Sequence, residues 1–340
     1  MKKLIIFLVL IVVANSFSQE GFDPGTPANS PFQLGGDIQG TIQNSVNEVT
    51  GKVTFSTPLA SIAANSVSYG INLTYNGEFA FKSGQQINKY SPTSVAGVGW
   101  GLSTPKIVVD NKQTGTRDDD VFYLQDGATN TKLICIDRGT TTNGSAWEFQ
   151  MEKYAPWKIY FYYHTTWGDY WKIVKDNGQT YYFGSQYVKD GKEFAVRYGN
   201  WIGSSKQSGA TSEQTIVWNI TKIEDQWNNN VTFTYDTVKH SMSGKDPTEA
   251  AYLSNVWSSN GAHIQLTYGN KSSDEYYEPH QEASEPDAYQ ERYEKKYLQS
   301  VSSYNNENQL VSTYNIGYTL NGAGLNKKRY LTSLTQTAYN

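Results

Sequence analysis

The chain has 340 residues, 28 Lys and Arg against 32 Asp and Glu, and a formal net charge of −4. That balance excludes a generally basic nucleic-acid binder, since the densest basic run is only Lys327-Lys328-Arg329. Aromatics are 14 % and charged residues 18 %, with 26 Tyr and 9 Trp, which excludes a disordered chain.

Residues 1–18 have the layout of a secretory signal peptide. Lys2 and Lys3 lead, Leu4 to Ala14 is an apolar run of 11 residues, and Ser16 and Ser18 precede Gln19. The run is too short to span a bilayer, which takes about 20 apolar residues. Loss of Lys2 and Lys3 with the leader would leave 26 − 32 = −6. The expected location is the medium or the outer cell surface, with no membrane span after signal removal. Cys135 is the only cysteine, so no internal disulfide is expected. It lies in the run Lys132-Leu-Ile-Cys-Ile136 and reads as a small buried hydrophobe.

Residues 19–50 are rich in Gly, Pro, Asn, Ser and Gln, and read as an extended leader. Strand signals begin at Val53-Thr-Phe-Ser-Thr57. The clearest is Val67 to Tyr75, where Val67, Tyr69, Ile71, Leu73 and Tyr75 alternate with Ser68, Gly70, Asn72 and Thr74. A strict period of two predicts a strand with one buried face. Val121–Leu124, Lys132–Ile136 and Trp157–Tyr163 are further β-rich runs. Asp126-Gly127, Asn143-Gly144, Asn177-Gly178, Asp190-Gly191 and Asn260-Gly261 punctuate them, and such pairs tolerate the positive φ angles of tight hairpins. The single helix expectation is Asp287–Tyr297, with Pro286 before it and Glu291/Lys295 paired, though Tyr297 suits the start of a strand equally. The predicted class is all-β: many short antiparallel strands, sandwich-like at first and continuing into hairpins.

After residue 170 a loose repeat appears. Trp171–Gly184, Trp218–Tyr235 and Tyr252–Tyr268 share one plan: an aromatic strand, an Asn/Asp/Gly turn and a second alternating strand. Tyr297–Val301 with Tyr314–Tyr318 repeats it, and Tyr330–Leu334 opens another unit. That last unit has one strand, so it is expected to pair with further chain or elsewhere.

Gly51-Lys-Val-Thr-Phe-Ser-Thr-Pro-Leu59, Ile71-Asn-Leu-Thr-Tyr-Asn76, Gly97-Val-Gly-Trp-Gly-Leu-Ser103 and Asp120-Val-Phe-Tyr-Leu124 together resemble the N-terminal region of the SpvB (Salmonella virulence plasmid B) family. That region also opens the B components of insecticidal Tc toxins. The later hairpins are similar to RHS (YD) repeats. The resemblance covers roughly residues 45–340 and implies an SpvB-like β domain over 51–200 and RHS-like hairpins over 201–340. It implies scaffold work: a hollow β shell around a C-terminal toxic domain, with other toxin-complex subunits as partners. No catalytic residue and no cofactor carry over, and no enzyme activity is expected of this segment.

The remaining motifs are weighed on their own chemistry. Gly97, Gly99 and Gly101 permit unusual backbone angles, and Trp100 supplies bulk, so the segment reads as a structural plug locking a loop to the sheet. It lacks the spacing and the Lys of a phosphate loop. Asp118, Asp119 and Asp120 are the candidates for a cation, but the D-x-D-x-D spacing and a twelfth-position Glu are missing, and a solvated turn is the preferred reading. Asp274 to Glu294, with Glu275, Glu278, Glu282, Glu285 and His280, reads as an exposed acidic loop. His164, His240, His263 and His280 form no metal-ligand pattern. Two other readings stand beside the scaffold. In one, Trp147, Trp157, Trp167, Trp171, Trp201 and Trp218 form the pool for a glycan-binding or adhesion surface. In the other, two carboxylates about 5–10 Å apart serve a polysaccharide-active enzyme.

Overall fold

A computed structural model describes residues 53–77, 93–110, 112, 119–126, 129–139, 146–162, 169–184, 195–201, 212–239, 248–276, 294–323 and 327–339. The signal-like segment and the leader lie outside the described residues. Asn47–Asn340 form one compact unit.

The fold is all-β. β1 (Thr54–Ala64) and β2 (Val67–Asn76) form a hairpin, and β3 (Trp100–Leu102) completes a three-stranded sheet. β2 is the expected period-two strand, with Val67, Ile71 and Leu73 buried. Among the described strands β1 pairs with β2 alone, so Pro58 sits on an edge that needs no second donor, beside a bulge at Pro58/Ala60.

The large sheet starts as an antiparallel meander: β4 (Lys106–Asp110), β5 (Val121–Asp126), β6 (Thr129–Arg138), β7 (Ala146–Met151), β8 (Lys158–Tyr162), β9 (Tyr170–Val174) and β10 (Thr180–Gly184). β11 (Val196–Trp201) and β12 (Ser212–Glu224) follow. Both ends of the meander bond β12, β4 at Val217–Asn219 and β10 at Ile220–Glu224. The ladder therefore closes on itself, and a barrel-like ring removes the exposed edges. One rung runs Trp147–Phe161–Trp171–Phe183–Ile220, and a second Phe149–Ile159–Ile173–Tyr181–Ile223. The period of two turns both rungs inward. Trp171 is fully buried, with Phe122, Phe149, Phe161 and Trp218 at ring-centroid distances of 4.8–5.9 Å. The ring is thus filled by aromatic side chains.

β13 (Asn230–Lys239), β14 (Thr248–Ser258), β15 (His263–Asn270), β16 (Lys296–Tyr304), β17 (Leu310–Asn321) and β18 (Lys328–Ala338) continue from β12 as an open antiparallel sheet. β12 thus belongs to both parts, and residues 200–201 fall within its partner β11. The β1–β2 hairpin packs on the open sheet, where Leu59, Ile62, Ile71 and Leu73 join Phe233, Val256, Leu266 and Val301 in one core. Of the helix expectation, residues 287–293 lie outside the described residues, and Tyr297 belongs to strand β16.

Four hairpin turns are built alike: Lys175–Gln179, Asp225–Asn229, Ser258–Ala262 and Asn305–Gln309. In each, the first N–H donates to the fifth carbonyl and the fourth N–H to the first carbonyl. The fourth residue is left-handed: Gly178 (φ 80°), Asn228 (65°), Gly261 (97°) and Asn308 (61°). This is the three-residue hairpin loop with one left-handed residue, rather than the two-residue turn, which needs two. Asn177 and Asn260 hold a different post, their side-chain oxygens accepting from Gln179 N–H and Ala262 N–H. Gly144, Gly191 and Gly127 lie outside the described residues.

Candidate functional site

The Gly97–Ser103 motif lies in a strap that crosses the end of the open sheet. Pairing of β16 with β17 stops at Ser300/Asn315. Beyond that point the strap enters the gap: Leu298 N–H donates to Val95 O at 2.8 Å, and Val98 N–H to Arg329 O at 2.8 Å. The glycines have unequal work. Gly97 (φ 93°) is packed so closely that a Cβ would stand 2.8 Å from the Arg329 carbonyl oxygen. Gly99 also has positive φ (77°), whereas a Cβ on Gly101 would meet nothing within 4 Å. Burial falls on Ala96, Gly97, Val98 and Gly99. Trp100 is only half-buried, on β3, against Tyr75 at 5.2 Å and Phe55 at 6.1 Å.

Beneath the strap lies a cluster of buried charges that sequence reasoning missed. Arg329 makes two bonds to Glu275, Nε–Oε2 at 2.9 Å and Nη2–Oε1 at 2.7 Å, with its guanidinium 3.8 Å from the Tyr297 ring centroid. Ser272 N–H also donates to Glu275 at 2.9 Å. Burial alone would push the Glu275 carboxyl up, but the Arg329 and Ser272 bonds bring it below the ordinary range. Glu294 accepts from Tyr252 O–H at 2.6 Å. Lys271 donates its ammonium to the Thr93 carbonyl at 2.5 Å. Burial pushes Lys271 down to about 8, against the upward pull of Glu294 and Glu275. The segment expected as an exposed acidic loop therefore has buried anchors: Glu275 and Glu294 are inside because cations and donors face them. Glu278, His280, Glu282 and Glu285 lie outside the described residues. Lys328 and Arg329, from the densest basic run, are buried too. The available signal was the flanking aromatics, Tyr297 and Tyr318, which cover Arg329.

The other candidates disperse. Asp118 lies outside the described residues; Asp119 is exposed and Asp120 half-buried. Among the described residues no group of three His, Cys, Asp or Glu side chains is placed to hold a metal. Cys135 is half-buried, with Sγ 3.6 Å from the Asp137 carbonyl, and burial raises its pKa. Its neighbours correct the apolar-run reading: Ile134 and Ile136 point outward and are exposed. Of the tryptophan pool, Trp171 and Trp218 are fully buried because they fill the ring, and Trp147 and Trp157 are half-buried. Trp167 lies outside the described residues, as does the side chain of Trp201. Among the described residues the exposed tryptophans are two others, Trp227 (67 %) and Trp257 (41 %). Trp257, His263 and Tyr304 stack across β14–β15–β16 at 4.1 and 4.4 Å. His164, His240 and His280 lie outside the described residues.

No protein-family profile matches the chain, and no characterised protein matches it by sequence. The fold does match solved structures. It is similar to the N-terminal domain of effector protein SpvB from Salmonella typhimurium strain LT2, with TM-score 0.54 and 15 % identity over 84 % of this chain and 99 % of that one. It is similar to the Photorhabdus luminescens Tc holotoxin pore (TM-score 0.57, 15 % identity, 84 % of this chain) and to the TcdB2-TccC3-Cdc42 complex (TM-score 0.55, 16 % identity, 84 %). The chain spans only about 15 % of each of those two chains. The resemblance read from the sequence motifs is thus a resemblance of fold: an all-β architecture shared with toxin N-terminal and complex components.

Proposed function

We propose that this protein is a non-catalytic scaffold segment of an exported toxin-type or surface protein, which encloses or presents an effector supplied C-terminally or by a partner subunit. The observation that carries the reading is a fold shared across 99 % of the SpvB N-terminal domain at only 15 % identity. The architecture supports it. The ring is filled by Phe122, Phe149, Phe161, Trp171 and Trp218, and the buried ionic cluster braces a strap against the sheet end. Such a body gives rigidity. The four matching turns favour the hairpin-repeat reading of the second half. Residues 1–18 supply the expected export signal.

The test is to recover the native protein from the producing cells and their medium, then measure its intact mass and protease resistance. The expected result is surface or medium location, with an effector polypeptide shielded from protease until the scaffold is unfolded. A cytosolic protein carrying no second polypeptide, or one with hydrolytic activity of its own, would overturn the reading.

A further inference from the structure

Trp227 stands at the tip of the Asp225–Asn229 turn, 67 % exposed, and the turn is built to hold it there. The Asp225 carboxylate accepts from Trp227 N–H at 2.8 Å, Asn229 N–H at 3.0 Å and Asn229 Nδ2 at 2.8 Å, and Ser66 O–H donates to it as well. Asn65 on the β1–β2 turn donates to Asn229 Oδ1 at 2.6 Å, and Ser259 N–H to Asn230 O at 2.9 Å. Three turns are thereby tied around one protruding ring. The backbone that carries the indole is fixed before any ligand arrives, so binding would order little main chain.

What surrounds the ring sets the chemistry. Gln226 and Asn228 flank it, both exposed, and neither side-chain amide bonds a described residue. The one charge of the turn, Asp225, is buried and saturated with donors. The adjoining turn, Ser258-Ser-Asn-Gly-Ala262, carries no charge. Among the described residues of the four turns, no other large apolar side chain is exposed. A lone ring amid neutral amides is too small an apolar centre for a protein interface, which needs about 800 Å² on each partner. It suits a sugar: the apolar face of a pyranose lies on the indole, and the hydroxyls find amides that both donate and accept.

We propose that Gln226, Trp227 and Asn228 form a subsite for a neutral pyranose oligosaccharide, stacked on Trp227. This goes beyond the scaffold reading and stands on different residues.

The test is an NMR titration of the full chain with chitohexaose and cellohexaose, following indole N–H signals, with heparin hexasaccharide as the charged comparison. The Trp227 signal is assigned by its loss in Trp227→Phe. The expected result is a saturable millimolar shift of that signal with a neutral oligosaccharide and none with heparin. Trp227→Ala should weaken binding at least about tenfold, and Gln226→Ala severalfold. Asn228→Gly removes the amide while keeping the left-handed backbone, and should also weaken binding severalfold. Unchanged melting temperatures would separate these effects from unfolding. No shift at about 20 mM of either neutral sugar, a shift that survives Trp227→Ala, or a preference for heparin would overturn the proposal. So would a protein ligand that alone protects Trp227.

Discussion

Two buried cations of the ionic cluster carry opposite expectations. Arg329 is matched: Glu275 takes both its bonds, and Tyr297 covers its face. Arg329→Met would strand the buried carboxylate, and a loss of about 3–5 kcal/mol is expected in urea unfolding. Lys271 is under-compensated, because its ammonium donates to a neutral carbonyl rather than to a carboxylate among the described residues. A fall from the ordinary 10.5 to about 8 is a preference for the neutral form of about 3 kcal/mol. A lysine depressed in the folded state favours folding more as it loses its proton. Stability should therefore rise with pH above about 8, by about 2 kcal/mol up to pH 9.5. Burial lowers Lys175 and Lys328 in the same direction. The buried phenols of Tyr69, Tyr235, Tyr268 and Tyr318 are pushed up and oppose the trend only once unfolded tyrosine ionises, above about 10. Lys271→Met should flatten most of that rise in the pH series; an unchanged slope would place the proton elsewhere. The strap glycines separate as sharply. Gly97→Ala puts a methyl against the Arg329 carbonyl at positive φ and should cost about 2 kcal/mol or more, while Gly101→Ala meets open space and should cost little.

The last strand offers a test of register at the scale of the element. Tyr339 N–H donates to Val311 O. Antiparallel alternation then turns Thr335 and Thr337 toward β17, and Gln336 toward the open edge. Thr337→Pro removes a ladder bond and should cost about 3 kcal/mol in urea unfolding, whereas Gln336→Pro removes a donor that no described strand uses and should be tolerated to within about 1 kcal/mol. Equal effects would mean that the register is wrong. Strands of this kind were legible in the sequence because a half-buried pleat writes itself as alternation: Val67 to Leu73 shows it directly. The turns were half legible. Asn177-Gly178 and Asn260-Gly261 gave themselves away, but Asn228 and Asn308 do the same left-handed work without a glycine. Closure of the ring was not legible at all, since it depends on β12 meeting both Ile107 and Tyr182, more than a hundred and about forty residues upstream. The ionic cluster was hidden for the same reason: Glu275 and Arg329 look like surface residues until the fold brings them together. Tryptophan counts misled, because a type says nothing of side, and Trp171 and Trp218 are both buried in the ring.

At the scale of the whole molecule, β12 decides how the parts share stability. Its first half pairs with β11, its middle (Val217–Asn219) closes the ring with β4, and its last residues bond β10 on the ring and β13 on the open sheet. The core is continuous across that strand, from Phe122 and Trp171 through Trp218 and Ile220 to Val231 and Phe233, and on to Leu266 and Ile316. A shared strand and a shared core leave no plane along which one part can unfold alone. Trp218→Ala is the sharpest probe. It empties a fully buried site that touches Phe122, Phe161 and Trp171, and a loss of about 3–5 kcal/mol is expected. Calorimetry should show one transition, moved to lower temperature. Hydrogen exchange should lose protection together in β5–β9 and in β13–β16. If β5–β9 exchanged fast while β13–β16 kept their protection, the ring would be an independent folding unit, and β12 would be only its border.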